Sequence, residues 1–130
     1  MTLVDTSAWI DFFRGKEPMA SAVEQYLAEN QVALCGPIYT ELMRGFRSKK
    51  ERDLVMPLMQ GCRFLSQPDR LWEDAGNCGF LLKRGGKTIK TMDLLIACYA
   101  MAHSIPILTS DGDFSLIKKA GFDIRVVSDF

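Results

Sequence analysis

The 130 residues are 48% apolar and 25% charged, the usage of an ordinary globular chain, which excludes a disordered or fibrous protein. Sixteen lysines and arginines balance sixteen aspartates and glutamates, so whole-molecule charge points neither to a basic nucleic-acid binder nor to an acidic solvating tail. Cys35, Cys62, Cys78 and Cys98 form no C-x-x-C pair and have no histidine nearby, which argues against a zinc centre or redox motif and for reduced core thiols. A chain of this length is expected to fold as a single domain over 1–130. Without a basic, long-apolar leader pattern, and with no run near the ~18 apolar residues of a membrane span, it is expected to be soluble and cytoplasmic, with no membrane partner.

The first element is a short apolar strand, TLVD (2–5), from which Asp5 emerges. SAWIDFFRG (7–15) follows as a helix closed by glycine. Its Trp9, Phe12 and Phe13 fall at helical spacing and Ile10 widens the apolar arc beyond one buried stripe, so part of it is expected to be covered by another chain. EPMASAVEQYLAEN (17–30) is a second helix, with Pro18 near its start and Asn30 near its end. After the strand VALC (32–35) comes the helix PIYTELMRGF (37–46), in which Glu41 is flanked by Leu42 and Met43 and so faces the border of the core. SKKERDLVMPLM (48–59) is helical but broken at Pro57. The strand CRFL (62–65) precedes PDRLWEDAGNCGFLLKRGG (68–86), a helix with internal glycines. TMDLLIACYAMAH (91–103) is the strongest helical pattern: Thr91 is placed to cap it, and Asp93 falls in the first turn, where the helix dipole favours an anion. PILT (106–109), a strand, runs into SDGDF, then DFSLIKKAG (113–121) forms a short helix ended by Gly121, and IRVV (124–127) is the last strand.

Short apolar strands without alternation are strands covered on both faces, and their alternation with helices predicts an α/β fold of three layers, α/β/α, around a central, mostly parallel sheet of four to five strands. In such sheets ligands bind beyond the carboxyl ends of the strands, where Asp5 and Asp111 fall.

Each acid alone has an ordinary explanation: Asp5 in a turn, Asp93 serving the dipole, Glu41 paired with Arg44, Asp113 capping the helix that follows it. Together they pose a problem. If the fold brings Asp5, Glu41, Asp93 and Asp111 within ~5 Å of one another, each ionised pair costs about 3 kcal/mol at an effective dielectric of about 20. A few such pairs rival a total stability of ~5–15 kcal/mol. Raised pKa values relieve part of this repulsion; a divalent cation relieves it more completely, and all-carboxylate ligation favours Mg²⁺ or Mn²⁺ over zinc. His103 is the sole histidine and sits at a helix end, where it reads as a C-terminal cation, so no Ser-His or Cys-His nucleophile system can be assembled. Metal-activated water remains, and it suits phosphodiester hydrolysis. The hydroxyls of Thr6, Ser7, Thr109 and Ser110 beside the acids either orient carboxylates and waters or serve as caps and turn formers. Basic residues gather in 44–52, in 83–90 and at 118–119. These are either a solvated surface or, since Arg44, Arg47, Lys87 and Lys90 flank Glu41 and Asp93 in sequence, a rim that holds phosphates.

LVDTSAWI, TELMRG (40–45), DLLIACYA (93–100) and LTSDGDF (108–114), in this order, resemble the PIN-domain family and in particular its VapC-type ribonuclease toxins; the likeness covers nearly the whole chain. The resemblance implies Mg²⁺ coordination by Asp5, Glu41, Asp93 and Asp111. Asp113 matches an acid the family often has and is taken as auxiliary, since it is also placed as a helix cap; Thr6, Ser7 and Thr109 are auxiliary with it. It further implies RNA as substrate, a homodimer, and inhibition by a small antitoxin. Two other readings remain: a non-catalytic, Mg²⁺-binding receiver-like module, against which stands the lack of an adjacent acidic pair after the first strand, and a PIN domain that only binds RNA or protein.

Overall fold

The computed structural model describes residues 1–127. In chain order it runs β1 (Thr2–Val4), α1 (Thr6–Phe13), α2 (Met19–Ala28), β2 (Val32–Leu34), α3 (Gly36–Gly45), α4 (Lys49–Gln60), β3 (Arg63–Phe64), α5 (Leu71–Arg84), α6 (Thr91–Ala102), β4 (Ile107–Leu108), α7 (Asp113–Lys119) and β5 (Val126–Val127). All strand pairs are parallel and the order across the sheet is β3-β2-β1-β4-β5. Leu3 lies opposite both Ala33 and Ile107, and Val4 opposite Leu108. Because β1, β2 and β4 are covered on both faces, Leu3, Val4, Ala33, Leu34, Ile107 and Leu108 are all fully buried, the physical reason their sequence shows no alternation.

This order matters for function. The chain leaves β1 toward β2 and β3, then returns through α5 and α6 to place β4 on the other side of β1. The sequence therefore reverses direction across the sheet between β1 and β4, and a crevice opens beyond their carboxyl ends. A receiver-like domain has the order 2-1-3-4-5, so the strand order removes that alternative.

α6 is the most buried helix, with Leu94, Ile96, Ala97, Cys98, Tyr99 and Ala100 all in the core. It packs most closely against α5, where a β-carbon at Gly79 would stand 2.8 Å from Leu94 Cδ1 and would displace the tip of that side chain. The four cysteines are free thiols, three of them buried. No helix among the described residues is long and apolar enough to cross a membrane.

Two expectations need correction. The pattern at 48–59 is not broken at Pro57: α4 continues to Gln60, because Val55 and Met59, four residues apart, hold the last turn against the core, and the amide of Gly61 bonds Pro57 O at 3.1 Å. Thr91 does not cap α6; it is the first helical residue, and Lys90 precedes it without a side-chain cap. The aromatic arc of α1 is absorbed in part within the chain: Trp9 is fully buried, while Ile10, Phe12 and Phe13 stay half-buried, with Phe12 and Phe13 packed against the core and on each other and α2 and α3 in contact with the helix. The large exposed apolar side chains are elsewhere, on α4 (Leu54, Leu58), β3 (Phe64) and α5 (Trp72, Phe80, Leu81).

Candidate metal and catalytic site

β1 delivers Asp5 to the crevice, and the peptide holds it there: its amide bonds Leu108 O of β4 at 2.9 Å and its carbonyl accepts the amide of Trp9 at 3.1 Å as α1 begins. The residue is only 3% exposed. Two hydroxyls donate to its Oδ2, Ser7 Oγ at 2.8 Å and Thr109 Oγ1 at 2.9 Å. Burial pushes the Asp5 pKa up, and these hydroxyl bonds oppose the shift.

β4 ends at the same rim and its continuation supplies the next acids. Thr109 Oγ1 accepts the amide of Asp111 at 2.9 Å, and Asp111 Oδ1 in turn accepts the amide of Asp113 at 2.9 Å. The expected helix cap thus falls to a different acid: Gly112 precedes α7, Asp113 is its first residue, and Asp111 takes the Asp113 N–H. From the opposite direction, the first turn of α6 projects Asp93 into the crevice.

Asp93, Asp111 and Asp113 each place a carboxylate oxygen such that all three lie within 4.8 Å of one another. Asp93 is 7% exposed and its Oδ2 has no hydrogen-bond partner among the described residues. Its pKa is raised to about 7, chiefly by burial and then by the charges of Asp111, Asp5 and Asp113. The crowding thus falls on Asp93, Asp111 and Asp113 rather than on the four acids expected from sequence: Asp5 bears on Asp93 through its charge, and Asp93 meets the crowding with a raised pKa.

Glu41 stands at the edge of this group, outside the three-acid cluster. Thr6 Oγ1 donates to its Oε1 at 2.7 Å. Asp5 and Glu41 both bear on the buried thiol of Cys35 at the end of β2, which is pushed up to about 12 chiefly by burial and in smaller part by the two carboxylates. Thr6 and Ser7 thus bridge to acids rather than only cap α1, and Ser110, exposed, touches the network through its amide, 3.1 Å from Ser7 Oγ.

Of the predicted phosphate-holding residues, Arg47 lines a cleft that it shares with Glu41, while Arg44, Lys87 and Lys90 are exposed and form no ion pair among the described residues. The sequence reading overlooked Arg14 and Lys16. Arg14 lines the Glu41 cleft, and Lys16 lines a second cleft of about 350 Å³ on the Asp111 side. They belong to no basic cluster, and their only signal is the sequence Arg-Gly-Lys at the end of α1.

The carboxylate-only donor set and the unpartnered buried oxygen of Asp93 fit a hard divalent cation such as Mg²⁺ or Mn²⁺. His103 takes no part: its Nε2–H donates to Ser66 O at 2.8 Å and its ring stacks on Tyr99, at the far end of α6.

Comparison with known proteins agrees with this geometry. The PIN domain family profile matches residues 2–120. The chain is 31% identical over 124 residues to VapC ribonuclease Mb1587 of Mycobacterium bovis and, equally, to ribonuclease VapC11 of Mycobacterium tuberculosis, covering 92% of this chain and 92% of theirs. Among solved structures, its fold is similar to a toxin-antitoxin complex from Klebsiella pneumoniae (TM-score 0.76, 19% identity, 100% of this chain and 98% of that one) and to VapBC2 from Rickettsia felis bound to a promoter DNA fragment (TM-score 0.75, 15% identity, 97% and 96%). Strand order, the acids at the β1 and β4 ends and this near full-length likeness place the chain in the PIN-domain family, among the VapC-type ribonucleases.

Proposed function

We propose that residues 1–130 act as one PIN-like domain, a divalent-metal-dependent endoribonuclease that hydrolyses RNA phosphodiester bonds as the toxin of a toxin–antitoxin pair. Its proposed setting is the cytoplasm, as a homodimer restrained by a small antitoxin. The observation that carries the reading is the meeting of Asp93, Asp111 and Asp113 around a buried carboxyl oxygen left without a partner. That the relatives are named ribonucleases and several structural neighbours are toxin–antitoxin assemblies supports the substrate and the partner. The exposed apolar side chains on α4, β3 and α5 support further contacts with protein.

In this reading Asp93, Asp111 and Asp113 would hold Mg²⁺ or Mn²⁺, with Asp5 and Glu41 contributing to the same set. The chemistry a bound cation supplies at such a site is Lewis-acid activation of water and compensation of charge on the phosphoryl oxygens. Ser7 and Thr109 aim the Asp5 carboxylate, and Thr6 aims Glu41. With no imidazole at hand, carboxylates are the groups that accept the proton released when water attacks phosphorus. Arg44, Arg47, Lys87 and Lys90 hold flanking phosphates without reading sequence.

The test is cleavage of structured RNA by the purified protein in Mg²⁺ or Mn²⁺, compared with Asp5→Asn and Asp93→Asn. Both variants should lose cleavage while keeping the native circular dichroism. Retained cleavage in both removes the proposed site, and tight RNA retention without turnover in any divalent metal makes the protein a binding module.

A further inference from the structure

We infer that the cleft between α1 and the end of α3 is a nucleotide subsite, which takes one unpaired, unstacked nucleotide of the RNA next to the bond that is cut. This rests on the nuclease reading above and extends it from the reacting phosphate to the neighbouring base.

The cleft holds about 370 Å³, near the low end of the ~300–1,000 Å³ range of small-ligand pockets: room for one nucleotide and too little for a duplex. Glu41 forms part of its wall, so the cleft opens directly from the acidic site and a strand crossing the acids continues into it. Its walls combine two chemistries. Ile10, Phe13 and Phe46 give apolar surface, two of the three aromatic, against which a base can stack. Arg14 and Arg47 line the same cleft, and neither forms an ion pair among the described residues. Two unpaired cations beside aromatic rings match a ligand that is anionic on its backbone and planar on its base. Glu51, also in the wall, accepts the amide of Arg47 at 2.7 Å and so fixes the loop after α3 that carries Phe46 and Arg47.

The occupant is therefore single-stranded RNA, and the proposal makes a statement about sequence that phosphate contacts alone do not. Cleavage should show a base preference at the one position that enters the cleft.

The experiment is Mg²⁺-dependent cleavage of RNA hairpins carrying a randomised loop, with the products sequenced, for the wild type, Arg14→Gln and Phe46→Ala, and with Lys87→Gln as a comparison outside the cleft. The wild type should prefer particular bases at one position flanking the cut. Arg14→Gln, on an exposed side chain, and Phe46→Ala should flatten that preference and raise KM about tenfold while changing kcat much less; Lys87→Gln should weaken binding without moving the preference. A wild type that cuts without a flanking preference, or variants that keep it intact, overturn the subsite while leaving the nuclease standing. No cleavage by the wild type in any divalent metal overturns the nuclease reading itself. Variants that bind a partner antitoxin less well but cut RNA with an unchanged profile would give the cleft to a protein and overturn its assignment to RNA.

Discussion

The two ends of α6 carry the same kind of material, a titratable side chain at a helix terminus, in opposite states. At the C-terminal end His103 is finished: the chain supplies a carbonyl acceptor at Ser66 and a ring to stack on at Tyr99. At the N-terminal end, ~15 Å away along the axis, Asp93 is buried among other carboxylates with one oxygen unpartnered and its pKa raised to about 7. A buried polar group that the protein satisfies itself is part of the architecture; one that it leaves crowded and unpartnered is complete only with something else. The contrast between these ends can be broken or sharpened by experiment.

The largest effect should be on stability without metal. Asp93 ionises near 3.8 in the unfolded chain and near 7 in the folded one. Between those values the folded protein holds a proton that the unfolded chain has released, so stability falls as pH rises through the window. The fall should be on the order of 3 kcal/mol, discounted because neighbouring carboxyls share the proton. Urea denaturation in EDTA at a series of pH values measures it. At about pH 8, Mg²⁺ or Mn²⁺ should recover the loss by binding the folded state alone, and Asp93→Asn should remove most of both the slope and the metal response. An EDTA curve that stays level across the window would show that the N-terminal end is as complete as the C-terminal one.

A smaller effect should follow from Thr109→Val, which keeps the shape of a side chain 1% exposed and deletes its hydroxyl. That hydroxyl donates to Asp5 and accepts the amide of Asp111, so one deletion loosens two acids at once. Cleavage should drop ~10–100-fold, the usual cost of losing a group that orients a metal ligand, and stability should drop about 1–3 kcal/mol for the buried groups left unpaired. Single-turnover cleavage and urea denaturation read the two separately. A cleavage loss that follows the stability loss in every condition would make Thr109 merely structural.

How much of this was legible follows from the reach of each interaction. Strands such as TLVD and PILT are readable because burial on both faces leaves an uninterrupted apolar run, and α6 because its pattern is continuous from Thr91 to Ala102. Pro57 reads locally as a break because the core contacts of Val55 and Met59 that keep the turn closed lie outside the local pattern. Asp5, Asp93 and Asp111 stood out as acids at strand ends and a helix start. Asp113 did not separate from a capping role, because ligand and cap differ by the turn of one residue, and only coordinates show Gly112 ahead of the helix. The bond from Thr6 to Glu41 joins residues 35 positions apart, and nothing in local pattern carries such a pairing. Arg14 was invisible for the same reason, since its partners in the cleft come from α3 and the loop after it.

The smallest effect is the one that tests the other half of the contrast. His103→Ala removes one hydrogen bond to Ser66 and one ring stack on Tyr99 at a half-buried site, so stability should fall by about 1 kcal/mol. Cleavage should stay at the wild-type rate, because the whole length of α6 separates this ring from Asp93 and no imidazole from within the chain reaches the acids. Thermal denaturation and initial cleavage rates on the same preparation measure both. A folded His103→Ala protein that no longer cuts RNA would mean that an imidazole does serve the reaction. The only other source of one in a homodimer is the second copy, so the proton-accepting role given to carboxylates would pass to a residue from across the interface.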